Sequence, residues 1–453
     1  MPSALNLARN TRLYFCTNTA GGVHTAANTT ELQIMDGYTL TQATDTQTIQ
    51  PNEGGTAPTR GSRTFNIGLQ PADFSFSTYI RPFRSGQVSA PCGLLWNAIT
   101  GPDPKPLFGG SGYSLLTSIT RVGTLATAVT TSVLSPQLAI GKIANIAGNT
   151  TSDWDGSFTV LSVPTTTSFT YAYEATPVAT VATTGANSRV SGGQWYETSA
   201  FAAVHNEGSN VHQLQPFSLV FKIDTQLYRV SGCALDSADV DFGLDQIAMI
   251  KWTGKGLTIA PIDSTHVDAT AIATSAVAPV TTANFITNKL TTLSLQLGIA
   301  GGTAGGGQSY TVPITAGSIS FKNNLTYLTP KILNTVNVPI TYFTGARSIS
   351  GTLNAYLRTG TVGDTGNLLS SIVTGAVSES KYALTIAMGG GANATRVEFA
   401  MPGCFLQIPT LDVQDIASTQ IQFMGEGYNI PTSGNQTFDL SKNNDLVIRY
   451  YSA

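Results

Sequence analysis

The chain has 453 residues, of which only 11% are Asp, Glu, Lys or Arg, and its formal net charge is −3. That is under half of the roughly 25% charged residues typical of soluble domains. With no long basic run, it excludes tight binding of nucleic-acid phosphates. No apolar run reaches the ~18 residues of a membrane span. Thr, Ala, Ser and Gly take the place of the charges, as suits a chain packed against copies of itself. The start, Met1-Pro2-Ser3-Ala4, lacks a basic head followed by an apolar stretch. It does not read as a signal peptide, and folding in a cytoplasm is expected.

The first long segment, residues 31–65, is rich in Thr and Gln. It has β-propensity but too few apolar residues to bury a face, so ordering by a neighbouring subunit is expected. Residues 74–80 (FSFSTYI) alternate apolar and small polar side chains, the pattern of a half-buried strand. Residues 93–99 carry a Leu pair and end at Thr100-Gly101, which predicts a short helix closed by glycine.

Residues 118–189 hold several strand-like runs separated by turn signals, notably Asp155-Gly156. They read as a small β-domain inserted in a surface loop, where insertions cost little. FSLVFKI at 217–223 and YALTIAM at 382–388 predict more fully buried strands. Residues 269–284 read as a linker. The Gly-rich stretch 298–307 lacks a following Lys-Ser/Thr, so it is a hairpin tip between 293–297 and 310–314 and not a phosphate loop. SISGTLNAY at 348–356 is a weaker version of 74–80, and 367–373 predicts a second short helix.

These likenesses form a system. Leu94-Leu95 recurs as Leu368-Leu369 at a shift of 274 positions, and Ser75 recurs as Ser348 at 273. Gly232-Cys233 recurs as Gly403-Cys404, and Trp252-Thr253-Gly254 as Phe423-Met424-Gly425, but at a shift of 171. One domain present twice explains this, with about 100 additional residues in the first copy between Gly101 and Gly232. The fold class expected is all-β, mainly antiparallel, with one packed helix per copy. The division expected is 1–116 and 191–275 for the first domain, 117–190 for the insert and 276–453 for the second domain.

Catalytic chemistry has no visible basis. His24, His205, His212 and His266 lack ligand spacing. The cysteines Cys16, Cys92, Cys233 and Cys404 show no CxxC and read as buried structural thiols. Asp236, Asp239 and Asp241 loosely resemble a calcium run, but Gly243 is out of register for an EF-hand. Their counterparts are Gln407, Thr410 and Asp412, so only the last keeps its carboxylate. A solvated acidic strand face is the preferred reading. No enzyme activity and no cofactor are expected.

Several stretches together resemble the major tail tube proteins of long non-contractile-tailed phages, of the type with duplicated tube domains. In the first copy they are Asn10-Thr11-Arg12, Asn52-Glu53-Gly54, Pro58-Thr59-Arg60-Gly61-Ser62-Arg63 and residues 74–80. In the second they are Thr326-Tyr327-Leu328-Thr329-Pro330, Phe343-Thr344-Gly345-Ala346 and Leu353-Asn354-Ala355-Tyr356-Leu357. The resemblance implies β-sandwich or barrel domains with a flanking helix. It also implies three subunits per pseudo-hexameric ring, stacking into a tube that conducts double-stranded DNA.

Partners implied are other copies of the chain, a tape measure protein and other tail proteins, in a virion assembled in the host cytoplasm. On this reading Glu53, Arg60 and Arg63 belong to an inter-subunit or ring-stacking loop. Asp239, Asp241 and Asp412 are lumen-facing acidic candidates. Alternatives are a carbohydrate-binding receptor protein, with Trp154 as the exterior glycan contact, or a tail terminator or distal tail protein.

Overall fold

The structure is a computed structural model. It describes residues 11–17, 28–50, 61–81, 92–100, 113–131, 143–147, 156–173, 188–199, 214–262, 288–297, 309–333, 337–360, 363–375, 382–389, 396–412, 417–426 and 444–451, less positions 193, 215 and 245, with a few short pieces between. The expected linker 269–284 and hairpin tip 298–307 lie outside the described residues.

The chain opens with β1 (Thr11–Cys16), β2 (Thr29–Leu32), β3 (Thr39–Thr41), β4 (Thr44–Ile49), β5 (Arg63–Leu69), β6 (Ala72–Tyr79) and helix α1 (Gly93–Thr100). The insert follows as β7 (Tyr113–Val122), β8 (Leu125–Thr130), β9 (Ile143–Ala147), β10 (Gly156–Thr165), β11 (Ser168–Ala172), β12 (Val181–Ala182) and β13 (Arg189–Gly192). Next come β14 (Gln194–Ser199), β15 (Phe217–Ile223), β16 (Gln226–Gly243), β17 (Met249–Gly256) and β18 (Thr258–Pro261). The second half begins with β19 (Thr292–Leu297), β20 (Ser309–Tyr310), β21 (Ile314–Lys322), β22 (Leu325–Leu328), β23 (Thr341–Thr344) and β24 (Ser348–Tyr356). It ends with α2 (Thr365–Gly375), β25 (Tyr382–Gly389), β26 (Arg396–Leu406), β27 (Thr410–Asp412), β28 (Ser418–Glu426) and β29 (Asn444–Tyr451).

Both halves pair their strands in one order, all antiparallel. The first runs β1, β15, β16, β17, β6, β3. The second runs β19, β25, β26, β28, β24, β21. Each half also has a short two-stranded ribbon, β4–β5 and β22–β23. In β6, Phe74 and Phe76 are buried while Ser75 and Ser77 face the other way, as alternation dictates. The helix α2 starts where Asp364 Oδ1 accepts from the Asn367 backbone N–H at 3.1 Å.

The 18-residue strand β16 serves two layers. Its first part pairs with β15 and β18, and its second part with β17 and β21. Gly232 sits at the crossover, with φ +55, and a Cβ there would lie 2.6 Å from Leu257 Cδ1. The position therefore needs glycine both for its backbone and for its space.

One hydrophobic core joins the halves. It includes Phe74, Trp96 and Trp252 from the first and Leu353, Leu384 and Phe399 from the second. Trp96 on α1 packs edge-on against both Trp252 and Phe399, and its Nε1 donates to Tyr450 Oη at 2.8 Å.

The insert closes on itself, because β7 pairs with both β13 and β8 at the two ends of its strand series. Closure leaves few open edges. Its core also takes in Ala400 and Val447 of the second half. Asp155 lies outside the described residues, while Gly156 begins β10 opposite Ile146 of β9.

The Thr/Gln-rich segment 31–65 satisfies part of its hydrogen bonding within the chain. Its strand β4 pairs with β5 from Thr44↔Leu69 to Ile49↔Arg63, with both strands largely exposed. The hairpin expected around 298–307 is seen as the β19–β20 pair, Leu295↔Tyr310. Cys16, Cys233 and Cys404 are buried free thiols, as read, and Cys92 is half-buried and free.

Gly232→Ala should destabilise the fold by about 2–4 kcal/mol, from left-handed strain plus the Leu257 overlap. Thermal unfolding checks this, and an unchanged midpoint would contradict the crossover account.

Candidate functional site: a polar sheet face with two open edges

The two halves lie side by side and share a ladder. Strand β16 pairs with β21 from Ser237↔Lys322 to Gly243↔Ala316. This makes one continuous sheet in the order β3, β6, β17, β16, β21, β24, β28, β27. One face is core: Phe76, Trp252, Val240, Ile319, Leu353 and Phe423 are buried.

The other face is mostly polar and rich in Ser and Thr, with Tyr79, Met249 and Met424 among them. Reading across the register, one row is Ser77, Lys251, Asp239, Ser320, Ser350 and Met424. The next is Tyr79, Met249, Asp241, Ser318, Thr352 and Gln422. Short side chains bond across strands: Thr39 to Ser75 at 2.8 Å, Ser318 to Thr352 at 3.0 Å, and Ser320 Oγ to Asp239 Oδ1 at 2.5 Å. Such bonds consume hydroxyls that would otherwise be offered to a passing ligand.

Charges on this face alternate. Asp239 stands opposite Lys251, and Asp73 pairs with Lys255 at 3.0 Å. Lys322 and Asp241 complete the described set. The structure places Asp239 and Asp241 on one polar face, where Lys251 and Lys322 also stand. Asp412 lies on the last strand, opposite Ser418.

The two short ribbons meet beyond one end of this sheet. Asn337 donates its backbone N–H to Ile67 O at 3.3 Å, and its carbonyl accepts from Leu69 N–H at 2.7 Å. Together they expose apolar side chains, including Phe65 (45%), Ile332 (59%), Leu333 (94%) and Phe343 (52%). Exposure on this scale within one region marks a docking surface. Arg63 starts β5, exposed and opposite Ile49. Glu53 and Arg60 lie outside the described residues. The apolar side chains of β22–β23 carry no local sequence pattern that announces them as a surface.

No family model matches the chain. Over 426 residues it is 24% identical to tail tube protein pb6 of Escherichia phage T5, covering 93% of this chain and 72% of that protein. The chain is a homologue of a siphophage tail tube protein. That match supports the resemblance read from the sequence.

Trp154 is a correction. Its side chain is fully buried and stacks on Tyr173 with ring centroids 5.0 Å apart. Phe158, Phe169 and Tyr171 pack around the same core. A ring that stacks on sugar must present a face to water, so in this tail tube homologue Trp154 serves packing.

The ribbon β22–β23 is anchored on the first half by two tyrosines. Tyr327 Oη donates to Gly232 O at 2.9 Å, and Tyr342 Oη donates to Leu214 O. Burial pushes both phenols up, Tyr342 to about 12 from an ordinary value of 10. The folded state therefore holds protons that the unfolded chain releases. Stability contributed by these groups is complete below pH 10 and is lost as pH rises toward 12. The urea midpoint should hold up to about pH 10 and fall between about pH 10 and 12, and Tyr342→Phe should blunt the fall. A midpoint flat over that range would contradict this anchoring.

Proposed function

We propose that the chain is a structural virion protein that polymerises into the phage tail tube. Three subunits form a ring with near-sixfold appearance, rings stack into a hollow tube, and double-stranded DNA passes through it from capsid to host cell. The observation that carries this is the continuous sheet with one polar, Ser/Thr-rich face, contributed by two like-ordered halves. A sheet whose end strands each have one ladder among the described residues is completed by copies of itself, and closing it removes the edges.

The polar face then lines the lumen. Lys251 and Lys255 stand beside aspartates rather than in a cluster that grips phosphates, and several hydroxyls are tied to each other, so DNA slides without a binding step. The joined ribbons, with Leu333 and Phe65 exposed, face the adjacent ring. A tape measure protein and other tail proteins are the further partners this role requires. The carbohydrate-receptor reading rested on Trp154 and loses that residue to the core.

Electron microscopy of the purified protein should show hollow filaments. The mass of an isolated ring should be three times that of the 47.4 kDa chain. A ring of six chains, or a single ring with no filament, would contradict the reading.

The insert belongs on the outer wall, since inside it would block the lumen. Replacing residues 118–189 with a short Gly/Ser linker should leave smooth tubes of unchanged ring spacing. Removing the cover from Ala400 and Val447 should cost only a modest drop in melting temperature. A folded monomer that no longer polymerises would instead place the insert in the assembly interface.

A further inference from the structure

Two connections tie the insert to the second half. Its last strand β13 ends at Gly192, and β14 begins at Gln194 as an added strand on β29, with Trp195 opposite Arg449 and Glu197 opposite Val447. Ala400 of β26 and Val447 of β29 form a cross-strand pair and belong to the insert's own core.

A cluster of charges stands beside this seat. The next pair along the same face of the two strands is Glu398 and Arg449, and the one after it contains Arg396. Side chains two residues apart on a strand share a face, so the cluster adjoins Ala400 and Val447. Arg396 Nε donates to Glu398 Oε1 at 2.8 Å, and Arg449 Nη1 lies 3.7 Å from Glu398 Oε2. The Arg396 and Glu398 side chains are only 10% and 12% exposed.

Two arginines on one buried carboxylate add little to stability, since the cost of desolvating the charges offsets the gain from pairing them. They do add direction. An alanine and a valine make a small apolar contact with no preferred angle. A carboxylate between two guanidinium groups has a defined geometry.

We infer that Glu398, clamped by Arg396 and Arg449, is a positioning residue that fixes the angle of the insert on the second half. The insert is then a rigid post, not a tethered bead. Its direction follows from the ladders. Tyr113 of β7 lies opposite Ser191, close to where β14 begins, and β7 runs from there to Val122. At about 3.3 Å per residue the far end of β7 is ~30 Å from Tyr113. The β7–β8 turn stands at that end, with Val122 83% and Leu125 44% exposed. The seat is a property of the single chain. Three posts per ring, one over each second half, rest on the tube reading.

The test uses the full-length monomer with a fluorophore on Thr124→Cys, in the β7–β8 turn, and follows the decay of fluorescence polarisation. Cys16, Cys233 and Cys404 are buried, and the chain without Thr124→Cys gives the background. With Glu398 in place the insert should tumble with the whole 47.4 kDa chain. Glu398→Gln should add a second, several-fold faster tumbling phase. That change leaves two arginines without their carboxylate, so a second variant combines Arg396→Met, Glu398→Met and Arg449→Met. It should keep the parent's melting temperature and still release the insert. A triple variant that tumbles as one body would overturn the positioning role. Loss of the fold in that variant would make the cluster a stabilising element and overturn it too.

On assembled tubes, averaged images should show the posts sharp in the parent and blurred in Glu398→Gln, at unchanged ring spacing. Posts equally sharp in both would contradict the inference. A parent that forms no tubes would overturn the tube reading, while the polarisation result would still decide the seat.

Discussion

The ladder between residues 237–243 of β16 and 316–322 of β21 is the contact on which everything else depends. It fuses two small sheets into one and so fixes which face is core and which is polar. It also sets α1 between the halves, where Trp96 can touch tryptophan on one side and tyrosine on the other. Without it the two halves would each present an unpaired edge, and neither polar face would extend beyond a few strands. Edge pairing is a hazard in most proteins. Here one instance is satisfied inside the chain, and its geometry sets what the ends of the sheet can accept.

The polar face runs across the same ladder. Asp239 faces Lys251 within its own half, and the ladder adds Ser320 on its other side. Surface pairs of this kind add little stability. Their consequence is electrostatic: a wall with alternating signs has no strong field at a distance, since opposite charges cancel beyond a Debye length of about 8–10 Å. A polyanion moving past such a wall is neither held nor expelled. The low charge content that stood out in the sequence is thereby given a location.

Much of the fold was legible locally. Residues 217–223 and 348–356 showed their strands through composition and alternation, and the shared Leu pair marked both helices. The repeats were legible because Gly232-Cys233 and Gly403-Cys404 occupy the same place on matching strands. Other features exist only in tertiary register. Nothing near Asp239 in sequence names Lys251 as its neighbour across the sheet. Trp154 looked accessible beside an Asp-Gly turn, yet the ring folds back onto Tyr173. The pinning of the two ribbons at Asn337 joins residues 270 positions apart and leaves no periodic trace.

Hydrogen exchange compared between monomer and assembled tube addresses the central claim, that assembly extends the internal ladder at both ends of the sheet. The amides of β21, already paired on both sides, should be protected equally in the two states. Those of Thr39–Thr41 and Thr410–Asp412, which have one ladder each among the described residues, should gain protection only in the tube. If the tube forms while these two edges exchange as they do in the monomer, the sheet does not continue across subunits and the account is wrong.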